Sequence, residues 1–188
     1  MFCGSSAGTS PAYTDAAAAV ARALVDAGLE VVYGGNARGL MGVLADAAMD
    51  AGGSVTGVLP TALFDVEMPH RGLTHLVEVG SMHERKQRMY DLADGFVGLP
   101  GGLGTLEEVA EIATWSQLGV HDKPIVLLDL DGFWSPLLGW LDRAVDAGFI
   151  RAANRSIIAS VARPVEVVPA LRAYRHRRRR AVLTEAET

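Results

Sequence analysis

The segment Leu99–Glu108, LPGGLGTLEE, places a proline, three glycines, a hydroxyl and two adjacent carboxylates within ten residues. It follows an apolar run typical of a strand and leads into a helical pattern. Glycines leave the backbone bare, so a ligand can approach its N–H groups closely. A helix N-terminus adds unpaired N–H donors and a partial positive charge, which favour a phosphate. The candidate phosphate-binding residues are Gly101, Gly102, Gly104 and Thr105.

The same segment also has an interpretation that needs no ligand. TLEE has the pattern of a capping box, in which Thr105 caps the helix and Glu108 reaches back from the third helical position. A capping box accounts for Thr105 and Glu108, but it requires no bare backbone before it. The glycine loop alone therefore leaves phosphate binding and helix capping open.

A second segment, SMHERKQRMYDLAD at 81–94, places two cations among residues that should point inward. At helical spacing one face contains Met82, Arg85, Lys86, Met89 and Ala93. Arg85 could pair with Asp94 or Glu108, or extend its charged head to water. A guanidinium also binds oxyanions in two places through its planar fork. The nearby glycine loop favours this second role, with an anionic substrate as the partner.

A third glycine segment, YGGNARGLMG at 33–42, again lies between a strand and a helix. It lacks the G-x-G-x-x-G spacing of a dinucleotide site, and the chain contains no G-K-[ST]. ATP hydrolysis by a Walker-type loop is therefore not expected. A tight turn that packs closely on its neighbours is the alternative to a binding role.

Strand-like and helical patterns alternate along the chain. The strand-like runs are LEVVYGG, GSVTGVLP, THLVEVG, GFVGLPGG, PIVLLDL and RSIIAS, and helices are predicted near 10–28, 39–52, 82–93, 104–118, 133–147 and 164–175. This order predicts a single α/β domain with a doubly wound, Rossmann-like parallel sheet and helices on both faces. We assign residues 1–175 to the catalytic domain and 176–188 to a basic, then polar, tail. The helix containing Trp134 and Trp140 is interpreted as core packing.

Composition narrows the function classes. A single cysteine, Cys3, excludes an intramolecular disulfide, and the five histidines show no metal-ligand spacing with it. The longest apolar runs are far shorter than the roughly 20 residues that cross a bilayer. We expect a cytoplasmic protein that binds neither membrane nor metal. Only Met1 and Phe2 precede the first glycine turn, so the first strand is either short or begins upstream.

Charge is distributed unevenly along the chain. The run RHRRRR at 175–180 holds five of the 17 basic residues, which leaves 12 basic against 22 acidic residues elsewhere. An acidic body cannot attract anions generally, so a phosphate site needs local donors. The basic run is interpreted as a solvated chain end, and no nucleic-acid partner is expected.

The chain resembles the Lonely Guy (LOG) family of cytokinin-activating nucleoside 5′-monophosphate phosphoribohydrolases. Five segments carry the resemblance, in this order: FCGSSAG, YGGNARGLMG, SMHERK, LPGGLGTLEE and TWSQLGVHDKP. The resemblance runs from Phe2 to about residue 160. It implies hydrolysis of the N-glycosidic bond of N6-modified adenosine monophosphates, giving the free base and ribose 5-phosphate without a cofactor. Asn36 replaces a glycine found in many members, a change expected to be tolerated. The older label of lysine decarboxylase finds no support, because no lysine context for a pyridoxal phosphate Schiff base is present.

The resemblance also implies roles for individual residues. It makes Arg85 and Glu108 the catalytic pair and lets the glycine loop with Thr105 hold the phosphate. Positions lining the nucleotide site would be Glu67, Lys86, Glu107 and Thr114. The family is typically a homodimer with sites at the subunit interface.

The chemistry fits this assignment. Breaking a C–N glycosidic bond builds positive charge on the ribose, which a carboxylate can stabilise while it takes a proton from water. We expect Arg85 to keep Glu108 ionised. Two other functions stay open: a noncatalytic nucleotide-binding or carrier protein, as in molybdenum-cofactor carrier-like relatives, and a hydrolase acting on plain AMP. The preferred N6 substituent is not predicted.

Overall fold

The computed structural model describes residues 1–63 and 68–174. Glu67 and the basic run at 175–180 lie outside the described residues, as does the rest of the tail to residue 188. Within the described part, six strands form two parallel three-stranded sheets. One sheet contains β1 (Val31–Tyr33), β2 (Val55–Pro60) and β3 (His75–Val79), and the other contains β4 (Phe96–Gly98), β5 (Ile125–Leu128) and β6 (Ile158–Val161).

The first residues of the chain join the two sheets. The Met1 ammonium donates to the Val32 carbonyl at 2.7 Å. On the other side, the Phe2 N–H donates to the Val97 carbonyl and the Phe2 carbonyl accepts from the Leu99 N–H, both at 2.9 Å. The N-terminal segment therefore lies between β1 and β4 and connects the two sheets through main-chain hydrogen bonds. Phe2 and Gly98 form a single parallel bridge at this place.

Seven α-helices connect or follow the strands in the described residues. They are α1 (Pro11–Asp26), α2 (Gly39–Asp50), α3 (Met82–Leu92), α4 (Leu103–Leu118), α5 (Ser135–Asp146), α6 (Ala152–Arg155) and α7 (Val167–Ala173). All six predicted strands and all six predicted helices are confirmed. The four-residue α6 was not predicted, because one helical turn carries too little periodicity to be seen in sequence.

The helices cover both faces of the sheet. On one face α1, α2 and α7 pack through a core rich in small residues, including Ala17, Ala21 and Ala48. On the other face α3 and α4 pack on larger side chains such as Phe96, Tyr90 and Ile112. The predicted doubly wound α/β fold is therefore confirmed. Alanines let α1 and α2 approach closely, whereas aromatic side chains fill the wider space under α3 and α4.

The interpretation of the tryptophan helix was half wrong. Trp134, just before α5, is 5 % exposed and belongs to the core, but Trp140 within α5 is 59 % exposed. An apolar side chain of this size on the surface is available to another surface. No helix in residues 1–63 and 68–174 has the length and apolar character of a membrane span.

Candidate active site

A cavity of about 260 Å³ opens where the chain leaves the carboxyl ends of β1 and the N-terminal segment. Parallel α/β sheets bind their ligands at this edge. The walls contain six of the residues singled out from the sequence: Arg85, Gly102, Gly104, Thr105, Glu107 and Glu108. Residues far apart in the chain, from α3 and α4, therefore meet at one cavity.

Helix α4 begins earlier than the sequence suggested. Its N-cap is Gly102, which makes no side-chain cap, and Thr105 is the third helical residue and only 4 % exposed. The capping-box interpretation is therefore wrong, and Glu108 is the sixth helical residue instead of the third. Glycine at the cap leaves the tip of the helix uncovered, which a threonine cap would not.

The tip of α4 carries unused donors. The first helical hydrogen bond runs from Leu106 N–H to the Gly102 carbonyl at 3.0 Å. Among the described residues, none accepts from the N–H groups of Leu103, Gly104 or Thr105. A row of N–H groups at a helix N-terminus can bind an anion.

The three glycines of the loop have different reasons to be glycine. A Cβ on Gly101 would overlap the Thr105 hydroxyl and lie 2.9 Å from Gly4 N, so this glycine allows close packing. A Cβ on Gly102 or Gly104 would meet nothing within 4 Å. Gly102 and Gly104 line the cavity, whereas Gly101 lines an adjoining cavity of about 290 Å³. The bare backbone that faces a ligand is thus at Gly102 and Gly104.

The Arg85 guanidinium is fixed from below by the sheet. Its Nη2 donates to the Gly34 carbonyl at 2.8 Å and its Nε to the Val58 carbonyl at 3.1 Å. The Met82 sulfur lies 3.7 Å from Nη1. Arg85 is 5 % exposed, so the expectation of an inward cation is confirmed. A Cβ on Gly34 would overlap Nη2 of Arg85, so the guanidinium can keep this position only next to a glycine.

Glu108 is partly buried and faces the same cavity. Burial raises the pKa of its carboxyl to about 7, although Arg85, the Met1 ammonium and Lys86 act to lower it. We expected the charge of Arg85 to keep Glu108 ionised. Arg85 does lower the pKa of Glu108, but desolvation raises this pKa by more, so the net shift is upward. A pKa near 7 lets a carboxyl both take and return a proton at neutral pH.

Lys86 and Thr114 do not point into the cavity. The Lys86 ammonium lies 2.6 Å from Glu107 Oε1 and 2.7 Å from Glu111 Oε1. The Thr114 hydroxyl, on the exposed side of α4, donates to the Ala110 carbonyl at 2.8 Å. Of the residues implied for the nucleotide site, only Glu107 lines this cavity, and Glu67 lies outside the described residues.

Eight further lining residues were not assigned from the sequence: Met1, Cys3, Gly4, Ser5, Gly34, Met41, Met82 and Leu103. Six of them belong to the N-terminal segment and to the glycine segment at 33–42, whereas Met82 and Leu103 begin α3 and α4. Nothing in the spacing identified which residues face the cavity. Gly39, with φ of +62°, packs α2 against the Ser5 and Ser6 backbone, which explains the last glycine of GGNARG. Asn36 has no positive φ, and its Oδ1 accepts from Arg38 N–H at 2.9 Å. A glycine is therefore not required at position 36.

Comparisons with known proteins agree on one family. Residues 41–171 match the family model described as "Possible lysine decarboxylase". The cytokinin riboside 5′-monophosphate phosphoribohydrolase LOG5 of Arabidopsis thaliana is 46% identical over 175 residues, 93% of this chain and 77% of that protein. LOG2 of the same plant is 43% identical over 93% of this chain and 82% of its own length. The enzyme LOG of Oryza sativa subsp. japonica is 44% identical over 93% of this chain and 72% of its own length.

Solved structures support the fold. The molybdenum cofactor carrier protein of Chlamydomonas reinhardtii superposes with a TM-score of 0.64 at 20% identity, over 89% of this chain and 90% of that one. The molybdenum cofactor binding protein of Rippkaea orientalis gives 0.63 at 20% identity, over 88% and 89%. At such identity the likeness is one of fold alone.

Gly34→Ala is expected to expel the Arg85 guanidinium from its two carbonyl partners. Overpacking next to a buried cation should lower the free energy of unfolding by about 3 kcal/mol, measured by urea denaturation. Gly104→Ala is the matched control, because a Cβ there meets nothing within 4 Å. It should be neutral or stabilising by up to about 1 kcal/mol. Equal losses in both variants would contradict this account of Gly34.

The pKa of Glu108 predicts how stability varies with pH. That pKa is about 7 in the folded chain against an ordinary value of 4.5. Between these values the folded state binds more protons, so the free energy of unfolding falls as pH rises. Relative to wild type, Glu108→Gln should gain about 2 kcal/mol between pH 5 and pH 8, measured by denaturation at each pH. Parallel pH curves for the two proteins would exclude the raised pKa.

Proposed function

The chain belongs to the Lonely Guy (LOG) family of cytokinin riboside 5′-monophosphate phosphoribohydrolases, and from that premise we propose that it hydrolyses the N-glycosidic bond of N6-modified adenosine 5′-monophosphates. The products are the free base and ribose 5-phosphate. The observation that carries this proposal is the single cavity in which the α4 tip, Arg85 and Glu108 meet.

The tip of α4 supplies the phosphate site in this proposal. The N–H groups of Leu103, Gly104 and Thr105 point out of the first helical turn, and the helix dipole adds partial positive charge. The Gly102 and Gly104 positions leave space for phosphate oxygens to approach. A local donor set of this kind suits an anionic substrate even on an acidic protein.

Glu108 is placed to act on the sugar. Five residues separate Leu103 from Glu108, which is about 7.5 Å along a helix at 1.5 Å per residue. A ribose 5-phosphate anchored at the tip extends along the cavity wall over a comparable length, so its anomeric carbon can reach the Glu108 carboxylate. The phosphate and the carboxylate thus stay apart while both contact one ligand.

The reaction needs a general base, a nucleophile and a purine that can leave. Glu108 takes a proton from water, the water oxygen bonds to C1′ of the ribose, and the C1′–N9 bond breaks with its electron pair moving to the departing purine. The purine takes up a proton from solvent to become the free base, and Glu108 releases its proton to solvent, which restores the carboxylate. Negative charge on the departing purine and positive charge on the ribose develop together. Arg85 stabilises the negative charge on the purine, and the Glu108 carboxylate stabilises the positive charge on the ribose.

The remaining assignments complete the proposal. Residues 1–175 form the catalytic domain, and the enzyme is cytoplasmic, which is supported by a single cysteine, Cys3, with a buried thiol. Ser5 and Met82, which line the cavity, contact the nucleotide.

The enzyme acts as a homodimer through the outer surface of α4 and α5. Support comes from Leu103 and Trp140, which are 85 % and 59 % exposed, and from Thr114 on the exposed side of α4. A partner bound there would bring Thr114 near a second site. Sedimentation equilibrium should give a dimer that Trp140→Glu weakens; a monomeric wild type would refute this part.

A substrate panel tests the activity. Isopentenyladenosine 5′-monophosphate should yield free base on chromatography, and the matching nucleoside should react at least about 100-fold more slowly, because the phosphate contacts are lost. Glu108→Ala should abolish turnover while calorimetry still detects nucleotide binding, and Asp26→Asn on the far end of α1 should behave as wild type.

AMP in the same assay distinguishes a general AMP hydrolase. Binding without any turnover by the wild type would make the chain a carrier instead.

A further inference from the structure

Lys86 is the centre of a clamp between α3 and α4. Its ammonium lies 2.6 Å from Glu107 Oε1 and 2.7 Å from Glu111 Oε1, two carboxylates one helical turn apart on α4. Lys86 is mostly buried, whereas Glu107 is more than half exposed. An ammonium held by two carboxylates at these distances has little capacity left for a substrate phosphate.

The clamp lies directly behind the proposed catalytic pair. Lys86 follows Arg85 in α3, and Glu107 precedes Glu108 in α4. Arg85 and Glu108 line the cavity, while Lys86 binds Glu107 and Glu111 beside it. Holding the outer pair together therefore holds the inner pair at its separation, because neighbouring helical residues move as one body.

We propose that Lys86 is a positioning residue that acts on Glu108 through Glu107, instead of contacting the substrate as the family resemblance implies for this position. Its ammonium neutralises the Glu107 carboxylate and fixes the start of α4 against α3. The inference rests on the proposed hydrolysis only for its kinetic readout.

Charges from three elements act on Glu108. Arg85 and Lys86 approach from α3, Glu107 lies beside it on α4, and the N-terminal segment brings the Met1 ammonium and the Cys3 thiol. Burial raises the pKa of the Cys3 thiol to about 12, so this group is neutral and adds no charge near pH 7. Lys86 lowers the pKa of Glu108 and Glu107 raises it, so the two charges offset each other.

Removing one member of the clamp should therefore shift the titration of Glu108 in a direction set by its sign. Lys86→Met leaves the Glu107 charge uncompensated and should move the midpoint up by about one pH unit. Glu107→Gln removes the repulsion and should move it down. The double variant Lys86→Met/Glu107→Gln should return most of the way to wild type. Glu111→Gln is the control, because Glu111 is not among the described groups that shift the pKa of Glu108.

Two readouts distinguish positioning from substrate contact. Carbon-13 NMR of labelled glutamate, with Glu108→Gln to assign its resonance, follows the midpoint without any turnover. The ascending limb of kcat/KM against pH should shift by the same amount, with about a tenfold loss for Lys86→Met below pH 6.5 and KM within about threefold.

The outcomes either support or overturn the role. The role is supported if Lys86→Met raises the titration midpoint of Glu108 and the double variant reverses this rise. Glu111→Gln should leave the midpoint of Glu108 unchanged. An unchanged NMR midpoint together with a large rise in KM would make Lys86 a substrate contact and overturn it. Because the NMR titration needs no substrate, a wild type without hydrolase activity would overturn the proposed function while the clamp was still tested.

Discussion

Burial of the Arg85 guanidinium against two main-chain carbonyls is the constraint on which the site depends. A buried cation is costly unless its donors are satisfied, and here the Gly34 carbonyl after β1 and the Val58 carbonyl in β2 accept from it. The contact is possible only because Gly34 has no Cβ. The sheet thus fixes the charge from below, and α3 delivers it to the cavity. Any ligand that enters meets a cation whose position was set by the fold and not by the ligand.

The second half of the site is one end of a helix. Because Gly102 caps α4 without a side chain, the N–H groups of the first turn stay available for an anion. Glu108 follows further along the same helix, where burial raises its pKa to about 7. One helix therefore presents a cationic tip and a titratable carboxyl along a single wall. In the proposed reaction, phosphate binding and proton transfer would both depend on this helix, and Lys86 forms ion pairs from α3 to Glu107 and Glu111 of the same helix.

Most of the fold could be predicted from the sequence, because apolar strand runs and amphipathic helices alternate over nearly the whole chain. That Arg85 and Glu108 line one cavity could be predicted through the motif, whereas their catalytic roles stay a proposal. The features that the sequence could not predict depend on tertiary contacts. The cap of α4 was misplaced by three residues, at Thr105 instead of Gly102, because a glycine without a capping side chain occupies the cap position. Gly101 was grouped with the other glycines although packing against Thr105 explains it. The ion pairs of Lys86 with Glu107 and Glu111 could not be predicted either, because a sequence does not show which carboxylates lie within ion-pair distance. Ser5 and Met82 were not assigned because only the folded chain brings the N-terminal segment and the start of α3 to the same cavity.

The central claim is that the α4 tip holds a phosphate so that the ribose lies against Glu108. A crystal structure of the Glu108→Gln variant with isopentenyladenosine 5′-monophosphate measures this directly. The account predicts phosphate oxygens within hydrogen-bond distance of the N–H groups of Leu103, Gly104 and Thr105, and C1′ of the ribose next to the substituted side chain. A nucleotide whose phosphate lies away from the helix tip, or whose ribose faces away from position 108, would contradict it.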